Sequence, residues 1–181
     1  VQSALQNFIN LNKRLPCPSL GGVSSSSPAY GLEVTNTTSD FYCDINNTDI
    51  GSGYDDSGMV PYKTLGLNES DAFDAWGGAF TYRISQGMMD PAKFQSYDYR
   101  GNIIIQDENG VELTSARQVA PHNYGASYVI ISHGFAGNTS TWQKDAPTSS
   151  TPSRTAAPGL EQENTDHYKN HVYIQDSSAN I

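Results

Sequence analysis

Residues 1–18, VQSALQNFINLNKRLPCP, carry the pattern that decides the fold. Apolar side chains recur there at helical spacing, at Val1, Ala4, Leu5, Phe8 and Ile9. Lys13 and Arg14 follow, where cations suit the negative end of a helix dipole, and Pro16 then stops the helix. The stretch therefore predicts a helix over residues 1–15 that packs one face on the rest of the chain. Because the apolar pattern begins without an N-cap residue, we expect this helix to be the second half of a longer one.

The composition favours an extracytoplasmic domain and disfavours several classes of partner. Of 181 residues, 36% are hydrophobic and 16% charged, below the averages of about 45–50% and about 25% for soluble domains. Lys and Arg number 10 against 19 Asp and Glu, which gives a formal net charge of −9. Phosphate-rich partners require a basic surface, so we expect neither nucleic acid nor an anionic lipid surface as a partner. The length fits one domain over residues 1–181.

The two cysteines, Cys17 and Cys43, lie in the first quarter of the chain. Residues 19–58 between and beyond them are rich in Gly, Ser and Asn, which predicts a long connection without a core of its own. In an oxidising compartment a disulfide would stabilise this connection, whereas in the cytosol both thiols would stay reduced. We expect the disulfide, a tethered loop region over residues 16–58, and an extracytoplasmic location.

Beyond this loop the chain has the pattern of strands joined by loops. Strand patterns occur at residues 79–85, 102–106, 111–114, 126–132 and 171–175. Asn109-Gly110 predicts a hairpin between the second and third of these strands. The run at 126–132 is the most apolar, so we expect it in the centre of the sheet. The predicted fold class is α+β, an N-terminal helix on an antiparallel sheet formed by residues 59–181.

One motif admits an enzymatic interpretation. Residues 128–135, YVIISHGF, resemble the strand and His-Gly loop of α/β-hydrolases, where backbone N–H groups stabilise a tetrahedral intermediate. Those enzymes also need a Gly-x-Ser-x-Gly nucleophile turn, which this sequence lacks, and the short tail after Trp142 cannot supply the remaining units. We therefore expect no catalytic residue and no cofactor, with an esterase of this class as the least favoured alternative.

Two patterns bear on metal binding. Oxygen-bearing side chains alternate as in a calcium loop at Asp44, Asn46 and Thr48. The sixth position of that loop is Asp49 where Gly is expected, and the twelfth is Asp55 where Glu is expected. His167 and His171 have the zinc spacing of a helix, but their surroundings favour a strand. The sequence predicts no metal ligand, and a calcium ion in an acidic loop stays open as an alternative.

Four short motifs have counterparts in one family. They are Leu15-Pro16-Cys17-Pro18 after the helix, GMVPYKTLGL at 58–67, DAWGGAFTY at 74–82, and Ile131-Ser132-His133-Gly134. These motifs resemble bacterial type IV pilins and type II secretion pseudopilins. The resemblance is close over residues 1–18 and 58–85 and moderate over 127–138.

This resemblance implies a non-enzymatic filament subunit, a minor pilin or pseudopilin. Such a subunit is anchored in the inner membrane by the missing apolar half of its helix, and it then joins a periplasmic or cell-surface filament. Its partners would be other subunits and the inner-membrane assembly machinery. The alternative is an adhesin or ligand-binding domain on the same fold.

The resemblance also implies a structural core motif. Its members are Pro16, Pro18, Pro61, Leu65, Gly66, Asp74, Trp76, Gly77 and Tyr82. Trp76 and Tyr82 would supply aromatic core area, and Gly77 would permit a tight turn into the strand. We therefore expect Trp76 to be a buried anchor of the core.

Overall fold

The computed structural model describes residues 1–21, 23–36, 42–43, 57–85, 87–96, 101–114, 125–134 and 172–175. Its helices are α1 (Gln2–Asn12), a 3₁₀ turn (Glu69–Ala72) and α2 (Pro91–Phe94). Its strands are β1 (Thr35–Asn36), β2 (Tyr42–Cys43), β3 (Ser57–Met59), β4 (Thr81–Ile84), β5 (Ile104–Asp107), β6 (Tyr128–Ile131) and β7 (Val172–Gln175). An N-terminal helix with a small antiparallel sheet makes the fold α+β, as expected.

Helix α1 ends three residues earlier than predicted. Lys13 adopts the left-handed conformation (φ 55°, ψ 31°), and its N–H donates to the Ile9 carbonyl at 2.8 Å. No basic residue lies in the last turn, so the expectation that Lys13 and Arg14 belong to that turn is wrong: Lys13 is the C-cap residue and Arg14 lies beyond the helix. The left-handed residue turns the chain out of the helix before Pro16 is reached, which frees Arg14 for contacts elsewhere.

The central strand of the main sheet is β4, not β6. The order is β3-β4-β6, with both pairings antiparallel. All four residues of β4 are buried, whereas all four of β6 are only half-buried. The expectation that residues 126–132 occupy the centre is therefore wrong: an apolar run does not specify which strands flank it, and β6 lies at the end of the order among the three strands described.

The second sheet departs from the expected antiparallel arrangement. Strand β7 pairs with β5 in parallel, Ile104 opposite Val172. The predicted hairpin is confirmed, since Gln106 forms an antiparallel β-bridge with Glu112. At the turn, Gly110 adopts φ 79° and its N–H donates to the Asp107 carbonyl at 3.0 Å. The Asp107 carboxylate caps this turn, and the N–H of Val111, followed by that of Asn109, lowers the pKa of Asp107.

The core lies between α1 and the main sheet. Its buried members include Leu5, Leu15, Cys17, Val60, Tyr62, Tyr82, Ile84, Met88 and Met89. Val1 and Ile9 pack against it from the predicted apolar stripe of α1. The loop region is attached to the main sheet as well, because Ser19 forms antiparallel β-bridges with both Glu33 and Met59 of β3. In the part of the chain described, no helix combines the length and hydropathy that a bilayer crossing needs.

Trp76 is not part of this core. Its side chain is 53% exposed, so the expectation of a buried anchor is wrong, whereas Tyr82 is fully buried as expected. The chain from Asp74 to Gly78 forms a turn outside the sheet, with the Asp74 N–H donating to the Gly78 carbonyl at 2.8 Å. Burial resumes only at Gly78 and Ala79, so Trp76 stays at the tip of the turn.

The assignment of β4 as the central strand can be tested with two matched substitutions. Ile84 in β4 is 1% exposed, so Ile84→Ala should lower the free energy of unfolding by about 2–5 kcal/mol. Ile131→Ala in the edge strand should cost clearly less, because that side chain is only half-buried. Urea denaturation of both variants measures the difference, and equal losses would contradict the strand order.

Candidate functional site

The chain just after α1 is attached to the loop region by a bidentate ion pair between Arg14 and Glu33. The Arg14 guanidinium donates to both carboxylate oxygens of Glu33, each at 2.8 Å. The two side chains are only 16% and 17% exposed. Planar guanidinium–carboxylate pairs of this kind are among the strongest polar contacts in proteins. Arg14 also lies 5.0 Å from the ring centroid of Phe8, which adds a cation–π contact within the helix exit.

Glu33 joins its own loop to two other segments, the helix exit and the segment that contains Thr64. Besides Arg14, it accepts a hydrogen bond from the Cys17 N–H at 3.0 Å. Its own backbone N–H donates to the Thr64 hydroxyl at 2.8 Å. Glu33 could not be found from the sequence, because a single acid in a loop without periodicity gives no signal that it pairs with an arginine 19 residues away.

The predicted disulfide between Cys17 and Cys43 is confirmed, with a Cα–Cα distance of 5.4 Å. Both residues are buried, at 0% and 2% exposure, and the bond closes a sequence separation of 26 residues. The chain-entropy model assigns about 3–4 kcal/mol to a loop of this size. A structural disulfide indicates an oxidising, extracytoplasmic environment.

Tyr82 connects the helix exit to the central strand. Its hydroxyl donates to the Pro16 carbonyl at 3.1 Å from a fully buried position. Burial raises the pKa of Tyr82 well above its ordinary value, Tyr128 and Glu33 raise it further, and Arg14 opposes them. The phenol therefore stays a proton donor. We call the five residues Arg14, Cys17, Glu33, Cys43 and Tyr82 the helix-exit clamp.

The remaining motif residues divide between the core and the surface. Pro16, Pro18 and Pro61 are fully buried, the first two on either side of Cys17, and Leu65 packs partly buried on the core. Gly66 is exposed at φ 68°, a conformation that favours glycine, in a turn closed by the Gly66 N–H to the Lys63 carbonyl at 3.1 Å. The structure thus buries the three prolines and leaves Gly66 and Trp76 exposed.

A second cluster fixes the Trp76 turn, which we define as Asp74 to Gly78. Asp74 Oδ1 accepts from the N–H groups of Trp76 at 3.0 Å and Gly78 at 2.8 Å. Asp74 Oδ2 accepts from the Ser132 hydroxyl at 2.9 Å. Gly77 adopts φ 83° within this turn. The Asp74 carboxylate thus closes the turn with two hydrogen bonds and joins it to the end of β6 with a third.

The hydrolase-like segment is described up to Gly134, and its side chains there contact other parts of the fold. His133 is 3% exposed, and its Nε2 lies 3.0 Å from the Thr81 hydroxyl oxygen in β4. The Gly134 N–H, which a hydrolase would direct at a reacting oxygen, donates to Ser132 Oγ at 3.3 Å. These contacts join the ends of β4 and β6, and residues 135–142 of the motif lie outside the described residues.

Within the described ranges, no group of three or more His, Cys, Asp or Glu side chains could hold a metal ion. The calcium-like loop from Asp44 to Asp55 and the pair His167 and His171 lie outside the described residues. Comparisons of the chain with protein-family models, with curated proteins and with solved structures found no match.

The importance of the Arg14–Glu33 pair can be tested by neutralising one partner. Glu33→Gln leaves the guanidinium without its counter-charge in a site only 16% exposed, so the free energy of unfolding should fall by about 1–3 kcal/mol. The matched control Glu112→Gln removes the same charge from an exposed hairpin position and should change stability by less than about 0.5 kcal/mol. Urea denaturation gives both values.

A double-mutant cycle completes this test. Because Arg14 and Glu33 are in direct contact, the losses of Arg14→Gln and Glu33→Gln should not add in the double variant. Strictly additive losses would show that the two side chains act independently and would contradict the clamp.

Proposed function

We propose that the chain is the globular domain of a non-enzymatic filament subunit, a pilin-like or pseudopilin-like minor subunit outside the cytoplasm. The observation that carries the proposal is the helix-exit clamp. An ion pair, a disulfide and a buried tyrosine hydrogen bond all fix the end of α1 to the loop region and the central strand. A subunit that assembles through its helix needs such a junction, because the position of the helix then sets the position of the domain.

The outward face of α1 also supports assembly with neighbouring subunits. Leu5 faces the core, whereas the exposed positions of the helix carry no charge: Gln2, Ser3, Gln6, Asn7, Asn10, Leu11 and Asn12. Leu11 is 83% exposed. The centres of protein interfaces are depleted in charged residues, so this face suits burial against another protein surface.

The proposed partners follow from this arrangement. Other subunits of the filament would cover the uncharged face of α1, and the inner-membrane assembly machinery would receive the subunit through an upstream continuation of the helix. The disulfide fits the periplasm or the cell surface. Similarity of residues 1–18 and 58–85 to pilins and pseudopilins supports the same proposal.

A ligand-binding or adhesive domain on the same fold is the second candidate. The exposed Trp76 on a turn fixed by hydrogen bonds favours it. The two functions are compatible, because a filament subunit can present a binding surface on its globular domain.

The filament proposal is tested in cells of the source organism. The product of the whole gene should be found in the membrane fraction and in sheared filaments, whereas residues 1–181 alone should be found in neither. Within the whole product, Asn7→Lys puts a charge on the outward face of α1 and should lower incorporation. Ser25→Lys puts the same charge on an exposed loop position and should not.

Three results would count against the proposal or a part of it. Equal incorporation of residues 1–181 and the whole product would show that assembly does not depend on the helix. Absence of the whole product from any sheared filament would remove the filament itself. Equal effects of Asn7→Lys and Ser25→Lys would contradict the role given to the outward face of α1.

A further inference from the structure

The hairpin turn after β5 contains Asn109 and Gly110, the one place in the chain where asparagine precedes glycine. An asparagine amide can react within the chain with the backbone nitrogen of the next residue, and glycine hinders this attack least because it has no Cβ. Both residues are exposed, and a Cβ added at Gly110 would meet no atom of the described residues within 4 Å. Packing within the described part of the chain therefore does not shield the pair.

Hydrogen bonds to Asp107 restrain this turn. The Gly110 N–H, whose nitrogen would have to attack, donates to the Asp107 carbonyl at 3.0 Å. The N–H groups of Asn109 and Val111, on either side of it, donate to Asp107 Oδ1 at 2.9 Å and 2.7 Å. One residue thus holds three successive backbone N–H groups, and the attacking nitrogen is the middle one.

The charge of Asp107 acts in the same direction as these hydrogen bonds. The Gly110 nitrogen must lose its proton in order to attack, and a carboxylate close to it disfavours the negative charge that this step creates. The N–H of Val111, followed by that of Asn109, lowers the pKa of Asp107. The carboxylate is therefore ionised at neutral and alkaline pH, where loss of the amide proton is fastest.

We propose that Asn109 is a latent deamidation site, which Asp107 keeps from reacting while the hairpin is folded. In the reaction the Gly110 nitrogen gives up its proton and bonds to Cγ of Asn109, the bond from Cγ to Nδ2 breaks, and ammonia leaves with that proton. Water then opens the cyclic imide at either carbonyl, which gives aspartate or isoaspartate. One water is consumed, one ammonia is released, and neither an oxidant nor an enzyme takes part. This inference goes beyond filament assembly and does not depend on it.

The modification would change both the charge and the shape of the hairpin. Either product adds one negative charge to a chain whose formal net charge is already −9. Isoaspartate also adds one methylene to the main chain inside the turn. The Leu113 N–H, which donates to the Ile105 carbonyl at 2.7 Å across the hairpin, should then exchange with solvent faster than in the unmodified chain.

The reaction is measured by incubating the chain in ¹⁸O-labelled water at mildly alkaline pH, followed by peptide mass spectrometry. The label enters the new carboxyl group, so it separates deamidation during the incubation from deamidation during digestion in ordinary water. Asn109 should react at least about ten-fold more slowly in the folded chain than in the same chain in guanidinium chloride. The loss of even one hydrogen bond to a charged group corresponds to about that factor.

Substitutions assign the protection to Asp107. Asp107→Ala removes the carboxylate and should raise the rate at Asn109 in the folded chain by at least about five-fold. Asp107→Asn keeps an oxygen acceptor without the charge and should give an intermediate rate. The matched control Asp90→Ala removes a carboxylate that accepts from the Ala92 N–H at 2.8 Å, and it should leave the rate at Asn109 unchanged. Ile84→Ala lowers global stability but should not change this rate either, because the turn opens locally.

Three outcomes would overturn the proposal. Equal rates at Asn109 in the folded chain and in guanidinium chloride would show that the fold gives no protection. Equal acceleration by Asp107→Ala and by Asp90→Ala or Ile84→Ala would assign the protection to overall stability and not to Asp107. Absence of the label at Asn109 even in the unfolded chain would remove the modification site.

Discussion

The bidentate ion pair between Arg14 and Glu33 is the contact on which the arrangement of the chain depends. It joins the residue that leaves α1 to the loop region, and Glu33 then holds the Cys17 N–H. Cys17 carries the disulfide, and the adjacent Pro16 carbonyl accepts the buried hydroxyl of Tyr82. Because a largely buried charge left without its partner is costly, the pair restricts how the helix can leave the core.

The sequence was sufficient for features that depend on neighbouring residues. The apolar stripe of α1, the hairpin at Gly110 and the pairing of the two cysteines follow from local spacing or from having a single candidate partner. The missed features depend on distant partners. Glu33 has no pattern that connects it with Arg14, the strand order around β4 is set by long-range pairing, and the exposure of Trp76 follows from a turn closed by Asp74.

The proposed function places assembly on α1 and leaves the Trp76 turn outside that role. The exposed positions of α1 carry no charge, while the Trp76 turn is joined to the end of β6 by Ser132. The clamp would hold the domain in one orientation on its helix.

Native-state amide hydrogen exchange tests the central claim, that the helix exit and the central strand open together. The probes are the amide of Leu15, bonded to the Met88 carbonyl, the amide of Cys17, bonded to Glu33, and the amides of β4. If the clamp acts as described, all of them exchange with the same opening free energy as denaturant approaches the unfolding transition. Exchange of Leu15 and Cys17 at a markedly lower opening free energy, with β4 still protected, would show that α1 detaches by itself and would contradict the account.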